Sequence, residues 1–249
     1  MFARPTNPIS HRLARIAFIV ASVGALIVAA SGPLHRYLGV DIEAVIAVFR
    51  YGFYLTISGV AMGLATIVPT RPGDRRRGFV AAFLAIVIGV AGGWVPVTWF
   101  LQAQRQPAIN DITTDTANPP PLVVTAQLRR GAPNPPGYQQ SSAALQRAAF
   151  PDIAPVVLPI PPDEAFRRAD RAAMSLDWDV VARAPAEGRL EAIATSEWFG
   201  FRDDIVVRVR PQGTGSRVDI RSKSRIGESD LGANAERVRA FIARLKGDS

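Results

Sequence analysis

The sequence predicts an α+β protein in two parts: a three-helix transmembrane anchor, then a two-layer domain with two helices on one face of a four-stranded antiparallel sheet. Three apolar segments of near-membrane length fill the first hundred residues. Further on, a helical pattern is followed by four segments of alternating polarity and a second helical pattern. We therefore expect an anchor over 1–106, a proline-rich linker and domain start over 107–162, and the folded α+β domain over 163–249.

The three apolar segments run over residues 13–31, 51–69 and 79–101. Each approaches the ~20 residues that a helix needs to cross the hydrocarbon core of a bilayer. No segment carries an ionisable residue near its centre, which argues against an ion or proton pathway. The first segment also fits a cleavable signal peptide, because a basic stretch precedes it and small residues end it. The lipid bilayer is the first expected partner.

Arginines flank these segments unevenly. Arg4, Arg12 and Arg15 lie before or at the start of the first segment, and four more arginines lie within residues 70–78. Cytoplasmic loops retain such an excess of basic residues. We therefore expect a multi-pass protein of the bacterial inner membrane, with the N-terminus in the cytoplasm and the domain after residue 101 in the periplasm.

Two glycine pairs lie one helical turn apart in the second and third segments: Gly59 with Gly63, and Gly89 with Gly93. Small residues at this spacing allow helix backbones to approach closely. The pairs serve either packing within the three-helix bundle or formation of a homo-oligomer.

Composition excludes several classes of function. Beyond Gln106 there are 19 Lys and Arg against 18 Asp and Glu, so the domain lacks the basic excess of a nucleic-acid partner. The chain has no cysteine, and its two histidines, His11 and His35, precede the domain. Serine and cysteine catalysis through a histidine is therefore excluded there, and the preferred ligands of zinc and haem are missing. We expect no cofactor and no metal.

Polarity patterns predict the elements of the domain. Residues 163–176 and 230–246 each place apolar side chains on one helical face. Between them, four strands are expected at 178–184, 189–199, 205–210 and 217–225. A turn is expected at Arg202–Asp204, because aspartate favours turns. A short helix is expected at 141–149, with Ser141 as its cap.

One face of the predicted sheet is strongly charged. Its outward residues are Asp179, Arg183, Glu191, Glu197, Arg208, Arg210, Arg217, Asp219, Arg221, Lys223 and Arg225. Such a face is typical of the solvated side of an antiparallel sheet. It also suits a surface for anionic headgroups or an acidic partner, with Arg208 and Arg210 among its contributors.

Four sequence blocks carry a resemblance to a known family: Asn110–Asp115, Phe150–Ile153, Trp198–Asp204 and Ser222–Asn234. Over about residues 110–246 the chain resembles the bacterial and plastid "domain of unknown function 1499". The resemblance implies the domain but brings no established activity. Many members carry a cysteine near the start of the domain, so a role that rests on that thiol would not carry over to this chain.

The block at 222–234 contains the most suggestive candidate site. It runs from the last strand into the last helix, whose N-terminus offers free backbone N–H groups for an anion. The candidate ligand-binding residues are Arg225, Ser222, Ser224, Ser229, Arg208 and Arg210. In the alternative interpretation, Ser229 caps the helix and Arg225 pairs with Asp230 or Asp204 to fix the corner.

Two other groups have competing interpretations. Asp203 and Asp204 suit a structural turn, or a cation site completed by oxygens from 111–115. Trp198 suits the core, which would leave Phe199 on the charged face.

These features favour a membrane-anchored extracytoplasmic module that binds an anionic small molecule, a lipid headgroup or a partner protein without catalysis. One alternative is a hydrolase or transferase that uses Asp203, Asp204 and Ser224. Another is a structural assembly factor that docks through 118–136. Whether the protein is an enzyme stays open, although the missing histidine and cysteine argue against it.

Overall fold

The computed structural model describes residues 8–70 and 76–247, with side chains from residue 78 onward in the second range. The chain forms two compact units. The anchor unit comprises Met1–Leu101 with Trp198–Gly200, and the domain unit comprises Gln102–Glu197 with Phe201–Ser249. The expected α+β class is confirmed, because three apolar helices precede an antiparallel sheet and its helices.

Three long helices make up most of the anchor unit: α1 (Pro8–Leu38), α2 (Ile42–Ile67) and α3 (Arg76–Arg105). Within the described residues, these three helices are long and apolar enough to cross a membrane. Asp41 caps α2, since its Oδ1 accepts hydrogen bonds from the backbone of Glu43 at 2.9 Å and of Ala44 at 3.2 Å. The length and apolar composition of the three helices are those of membrane-spanning helices.

Several of the arginines that predict the orientation lie outside the described residues. Arg4, Arg71 and Arg75 lie there, as do the side chains of Arg76 and Arg77. The predicted orientation stays a prediction.

Glycines allow the anchor helices to approach closely. A Cβ at Gly59 would lie 2.5 Å from the backbone nitrogen of Ala21 in α1. A Cβ at Gly63 would lie 3.0 Å from the backbone oxygen of Ala82 in α3. This pair therefore packs inside the bundle, as one of the two interpretations proposed. At Gly93 the nearest atom to such a Cβ is 3.8 Å away, and the homo-oligomer stays a prediction.

Trp198 was expected in the core of the sheet domain. The structure instead places the aromatic residues of the 196–201 connection outside that core. Trp198 and Phe199 belong to the anchor unit, where Trp198 donates from Nε1 to the backbone oxygen of Ala29 at 3.2 Å. The ring of Phe199 lies 5.6 Å from that of Trp99. The expected position of Phe199 beside Arg208 and Arg210 is therefore wrong.

Within its described residues, the domain unit contains six strands and four α-helices beyond the end of α3. In chain order they are β1 (Asp111–Thr113), α4 (Val124–Leu128), α5 (Ser142–Ala149), β2 (Val156–Leu158), α6 (Pro162–Ser175), β3 (Asp179–Ala184), β4 (Arg189–Thr195), β5 (Arg202–Gln212), β6 (Gly215–Ser224) and α7 (Ala233–Lys246). The sheet order is β1-β6-β5-β4-β3, and β2 also pairs with β6. All pairs are antiparallel.

The sheet has six strands, so the expected number of four is wrong. The two additional strands, β1 and β2, are three residues each and lie in proline-rich sequence. Three residues are too few to show a clear alternation of polarity. Both pair with the outer edge of β6, one after the other.

A side-chain amide closes the outer edge of β1. The backbone nitrogen of Thr113 donates to Gln146 Oε1 at 3.0 Å, and Gln146 Nε2 donates to the Thr113 oxygen at 2.6 Å. Gln146 is buried, so its own polar atoms need these bonds. The short strand is therefore paired on both sides.

Both long helices pack on one face of the sheet, as expected. The core combines apolar residues of α6, of α7 and of the inward strand positions. Trp178 stacks on Phe241 with ring centroids 5.6 Å apart. The layer between helices and sheet is thus a continuous hydrophobic core.

The glycine packing predicts a contrast between two matched substitutions. Gly59→Ala should destabilise the anchor by about 1–3 kcal/mol, because the added methyl group meets backbone rather than a movable side chain. Gly93→Ala should be tolerated. Thermal unfolding of the detergent-purified chain, followed by size-exclusion chromatography, measures both. Equal midpoints for the two variants would contradict this packing.

Candidate functional site

The charged face of the sheet is covered by residues 107–140, which we call the strap. Arg221 Nη2 donates to the backbone oxygen of Pro136 at 2.9 Å, and Lys223 Nζ donates to that of Gly137 at 3.1 Å. Helix α4, within the strap, packs on β3 and β4. The expectation of a solvated basic face is therefore wrong. Proline-rich sequence favours extended chain, and here that chain lies against the sheet.

Asp111 of the strap pairs with the two cations at the centre of this face. Arg221 donates to it twice, from Nε and Nη2, at 2.8 Å each. Lys223 Nζ donates to Asp111 Oδ2 at 2.8 Å. All three side chains are almost fully buried. Charged groups in this setting need partners with good geometry, and the pairing supplies them.

Asp204 forms a second buried group with Arg225 and Arg129. Arg225 Nη2 donates to Asp204 Oδ1 at 2.7 Å, and Arg129 Nη1 lies 3.1 Å from Asp204 Oδ2. Arg129 Nη2 donates to the backbone oxygen of Ser224 at 2.8 Å. Burial raises the pKa of Asp204, and the two guanidinium groups only partly offset that shift. The structural interpretation of Arg225, which pairs it with Asp204, is the one observed.

Glu191 holds the start of α4. Its carboxylate accepts hydrogen bonds from the backbone nitrogens of Val123 and Val124 at 3.1 Å each, and of Thr125 at 2.9 Å. It also accepts from Thr125 Oγ1 at 2.7 Å and pairs with Arg189. Burial tends to raise the pKa of Glu191, but these hydrogen bonds outweigh it and leave the pKa below its usual value. Glu191 is thus a strap anchor.

Arg208 and Arg210 lie in a third group at the edge of the covered face. Both donate to Asp219, at 2.9 Å and 3.0 Å. Arg217 joins them and also donates to Asp115 of the strap at 2.9 Å. The two predicted ligand-binding arginines therefore have carboxylate partners within the domain unit.

Ser222 and Ser224 point to the opposite, helix-covered face. Asn234 of α7 accepts from Ser222 Oγ at 2.6 Å and donates to Ser224 Oγ at 2.9 Å. Arg237 links Ser222 to Asp203, to which it donates at 2.8 Å. This network fixes α7 to β5 and β6.

Asp203 and Asp204 are strand residues, so the predicted turn is wrong. They pair in register with Ser224 and Lys223 of β6. Consecutive strand residues face opposite sides of a sheet, which is why Asp203 reaches α7 and Asp204 reaches the strap. A shared cation between them is excluded by that geometry. Within the described ranges, no three His, Cys, Asp or Glu residues are grouped for a metal ion.

Ser229 does not cap α7 through its side chain, contrary to one interpretation. Asp230 takes that place: it accepts hydrogen bonds from the backbone nitrogens of Gly232 and Asn234 at 2.8 Å each. Burial raises the pKa of Asp230, and these bonds oppose the shift. Ser229 Oγ accepts a longer bond, of 3.3 Å, from the nitrogen of Leu231.

The six predicted ligand-binding residues therefore lie in separate places. Arg225 is under the strap, and Arg208 and Arg210 are at its edge. Ser222 and Ser224 are on the other face, and Ser229 lies in the connection between β6 and α7. Their ligand-binding role stays a prediction. Arg129 of the strap was not predicted as a member of the buried charged groups, and no sequence pattern marks it. The near-neutral charge of the domain is instead a signal for acidic partners such as Asp111, because a basic strand face then requires carboxylates elsewhere in the chain.

A cleft of about 340 Å³ opens beside the outer edge of β6, between the end of β1 and the start of β2. Its lining combines apolar and polar groups, from Phe150, Ile153, Ala154, Thr114, Thr116 and Arg147. Phe150 and Ile153 are buried, whereas Arg147 is exposed and donates from Nη1 to Thr116 Oγ1 at 3.0 Å. The cleft thus has an apolar floor and a positively charged wall.

The protein therefore consists of three helices of membrane-spanning length followed in the chain by an α+β domain. In that domain the strap covers the charged face of the sheet. The chain belongs to the family described as "Protein of unknown function (DUF1499)", which matches residues 111–245 and confirms the resemblance. No curated protein matches the sequence. Among solved structures, that of TTHA0849 from Thermus thermophilus is similar at 14% identity, with 38% of this chain and 93% of that chain covered and a TM-score of 0.25.

The bonds to Glu191 predict a pH-dependent effect of Glu191→Gln. The pKa of Glu191 in the folded state lies below its unfolded value of ~4.3. The ionised carboxylate therefore contributes its full stabilisation of the fold above that pH. This contribution is lost as the pH falls through the folded-state pKa. At neutral pH the variant should be less stable by about 2–4 kcal/mol.

Chemical unfolding of the full chain at neutral and acidic pH measures the difference. The gap between wild type and Glu191→Gln should narrow on acidification. Glu187→Gln, at an exposed carboxylate on the same arginine, should show little gap at either pH. A gap that stays constant down to pH values below the usual carboxyl range would contradict the assignment.

Proposed function

We propose that this chain is a membrane-anchored extracytoplasmic module that binds a small anionic ligand without transforming it. The cleft at Arg147 carries the proposal. Its volume of about 340 Å³ is at the lower end of the range typical of small-molecule sites, roughly 300–1,000 Å³. A guanidinium beside an apolar floor favours a ligand that combines one acidic group with a short apolar body.

The state of Arg147 supports this assignment. Its guanidinium group has five N–H donors, and the bond to Thr116 uses one of them. The arginines of the covered face have buried or half-buried carboxylate partners, whereas Arg147 lies at the surface. Arg147 is therefore the better-placed cation for a ligand that arrives from solvent.

The hydrolase or transferase alternative has weaker support. Its candidate carboxylates lie on opposite sheet faces, and each is ion-paired. Asp204 does have a raised pKa, but its side chain is fully buried between arginines. A substrate would have to displace the strap to reach it.

Arg147→Gln should weaken binding of an amphipathic anion by about tenfold, because it removes a charge-assisted hydrogen bond. Hexanoate is a suitable probe, with uncharged hexanamide as the matched control ligand. Thermal unfolding of the full chain should show stabilisation by hexanoate for wild type and for Arg167→Gln, which alters an exposed arginine on α6. A wild type that does not respond, or an Arg147→Gln variant that responds equally, would refute the site.

The extracytoplasmic location follows from the positive-inside rule and is tested by topology reporters. Alkaline phosphatase fused after Ser249 should be active, and green fluorescent protein at the same position should be dark. A fusion truncated after Thr70 should behave in the opposite way, because it ends after two spans. Fluorescence from the reporter after Ser249 would overturn the orientation.

A further inference from the structure

The strap covers a cluster with more positive than negative charge. The covered cluster consists of six side chains, each at most 9% exposed: Arg129, Arg221, Lys223, Arg225, Asp111 and Asp204. Four cations face two carboxylates, which leaves an excess of two positive charges. Burial of uncompensated charge costs several kcal/mol per ion. The excess therefore requires a compensating group.

The neighbouring carboxylates do not supply this compensation. Asp115 and Asp219 are bonded to Arg208, Arg210 and Arg217 at the edge of the face. On the opposite face, Asp203 is paired with Arg237. Glu191 pairs with Arg189 and accepts the backbone bonds of α4. Each of these acids is already engaged.

Deprotonation of the lysine does not remove the excess either. Burial lowers the pKa of Lys223, and Asp111 opposes that shift. A neutral Lys223 would still leave three guanidinium groups against two carboxylates, and arginine keeps its charge in proteins. At least one positive charge would remain uncompensated.

Donors without acceptors lie within the covered cluster and beside it. Among the described residues, Arg129 Nε and Nη1 and Tyr138 Oη are buried and have no hydrogen-bond partner. Nη1 lies 3.1 Å from Asp204 Oδ2, but outside hydrogen-bond geometry. The Tyr138 ring lies against the guanidinium of Arg221, with its centroid 5.5 Å from Cζ. Buried donors of this kind normally have a partner.

We propose that the covered cluster binds one free divalent tetrahedral oxyanion, sulfate or phosphate, beneath the strap, with Arg129 among its ligands. A dianion balances the excess of two charges. Guanidinium groups match the oxygens of such ions through paired hydrogen bonds. The backbone oxygens of Pro120, Pro136 and Gly137 close the cluster from above, which favours a small free ion over a lipid headgroup. This site is separate from the Arg147 cleft and does not depend on it.

Ion chromatography of the full chain tests the proposal directly. The protein is purified in detergent, exchanged extensively into buffer without sulfate or phosphate, and denatured to release bound ions. About one equivalent of oxyanion per chain is expected. In addition, sulfate should raise the unfolding temperature in a saturable manner at constant ionic strength, whereas chloride should not.

Two sets of variants locate the ion. Arg129→Met/Lys223→Met leaves two cations against two carboxylates and should abolish both the retained ion and the sulfate response. Arg167→Met/Arg171→Met removes the same charge from the exposed surface of α6 and should preserve both. Tyr138→Phe removes only a hydroxyl, so it keeps the test valid if the double variant fails to fold. It should weaken sulfate affinity roughly threefold to tenfold.

Three results would overturn the proposal. One is a wild type that retains no oxyanion and responds equally to sulfate and chloride. Another is an equal loss in the surface variant, which would assign the response to net charge alone. The third is an unchanged sulfate affinity in both Tyr138→Phe and Arg129→Met/Lys223→Met. A failure at the Arg147 cleft leaves each of these measurements unaffected.

Discussion

The fold of the domain depends on burial of a charged sheet face, which is possible only if carboxylates meet the buried cations. Asp111 meets Arg221 and Lys223 across more than a hundred residues of sequence. Loss of one partner from a buried ion pair typically costs about 3–5 kcal/mol, because the other charge is left uncompensated. The strap and the sheet therefore stabilise each other. The strap has little secondary structure of its own and is held by the sheet, and the buried cations of the sheet need the carboxylate of the strap.

The sequence predicted the parts of this protein that local patterns encode. The apolar segments have membrane length, α6, α7 and the four longer strands have a clear period, and both helices lie on the expected face. Strands β1 and β2 are too short for a period to show. The high proline content of the strap predicts an extended linker. It does not indicate that this extended chain lies against the charged face of the sheet. The candidate ligand-binding residues lie on two faces because Ser222 and Ser224 alternate with Lys223 and Arg225 along the chain, and their ligand-binding role stays a prediction.

The position of β5 explains much of the family motif. Because the strand starts at Arg202, Asp203 and Asp204 belong to its ladder and reach Arg237 on one side and Arg225 on the other. Asn234, at the end of the Ser222–Asn234 block, hydrogen-bonds to Ser222 and Ser224 at its start and so holds α7 against β6. The most distinctive residues of the sequence are thus largely occupied in holding the domain together. The cleft at Arg147, by contrast, is lined by residues outside the two blocks that contain these strand and helix residues.

The amide of Gln146 has a consequence for how copies of this protein coexist in a membrane. Unpaired strand edges recruit other chains, and confinement to two dimensions raises the frequency of encounters. By occupying both backbone groups of Thr113, Gln146 presents neighbouring molecules with a helix instead of an open ladder. The amide side chain thereby closes the β1 edge from within the same molecule and leaves β3 as the edge strand at the other end of the sheet.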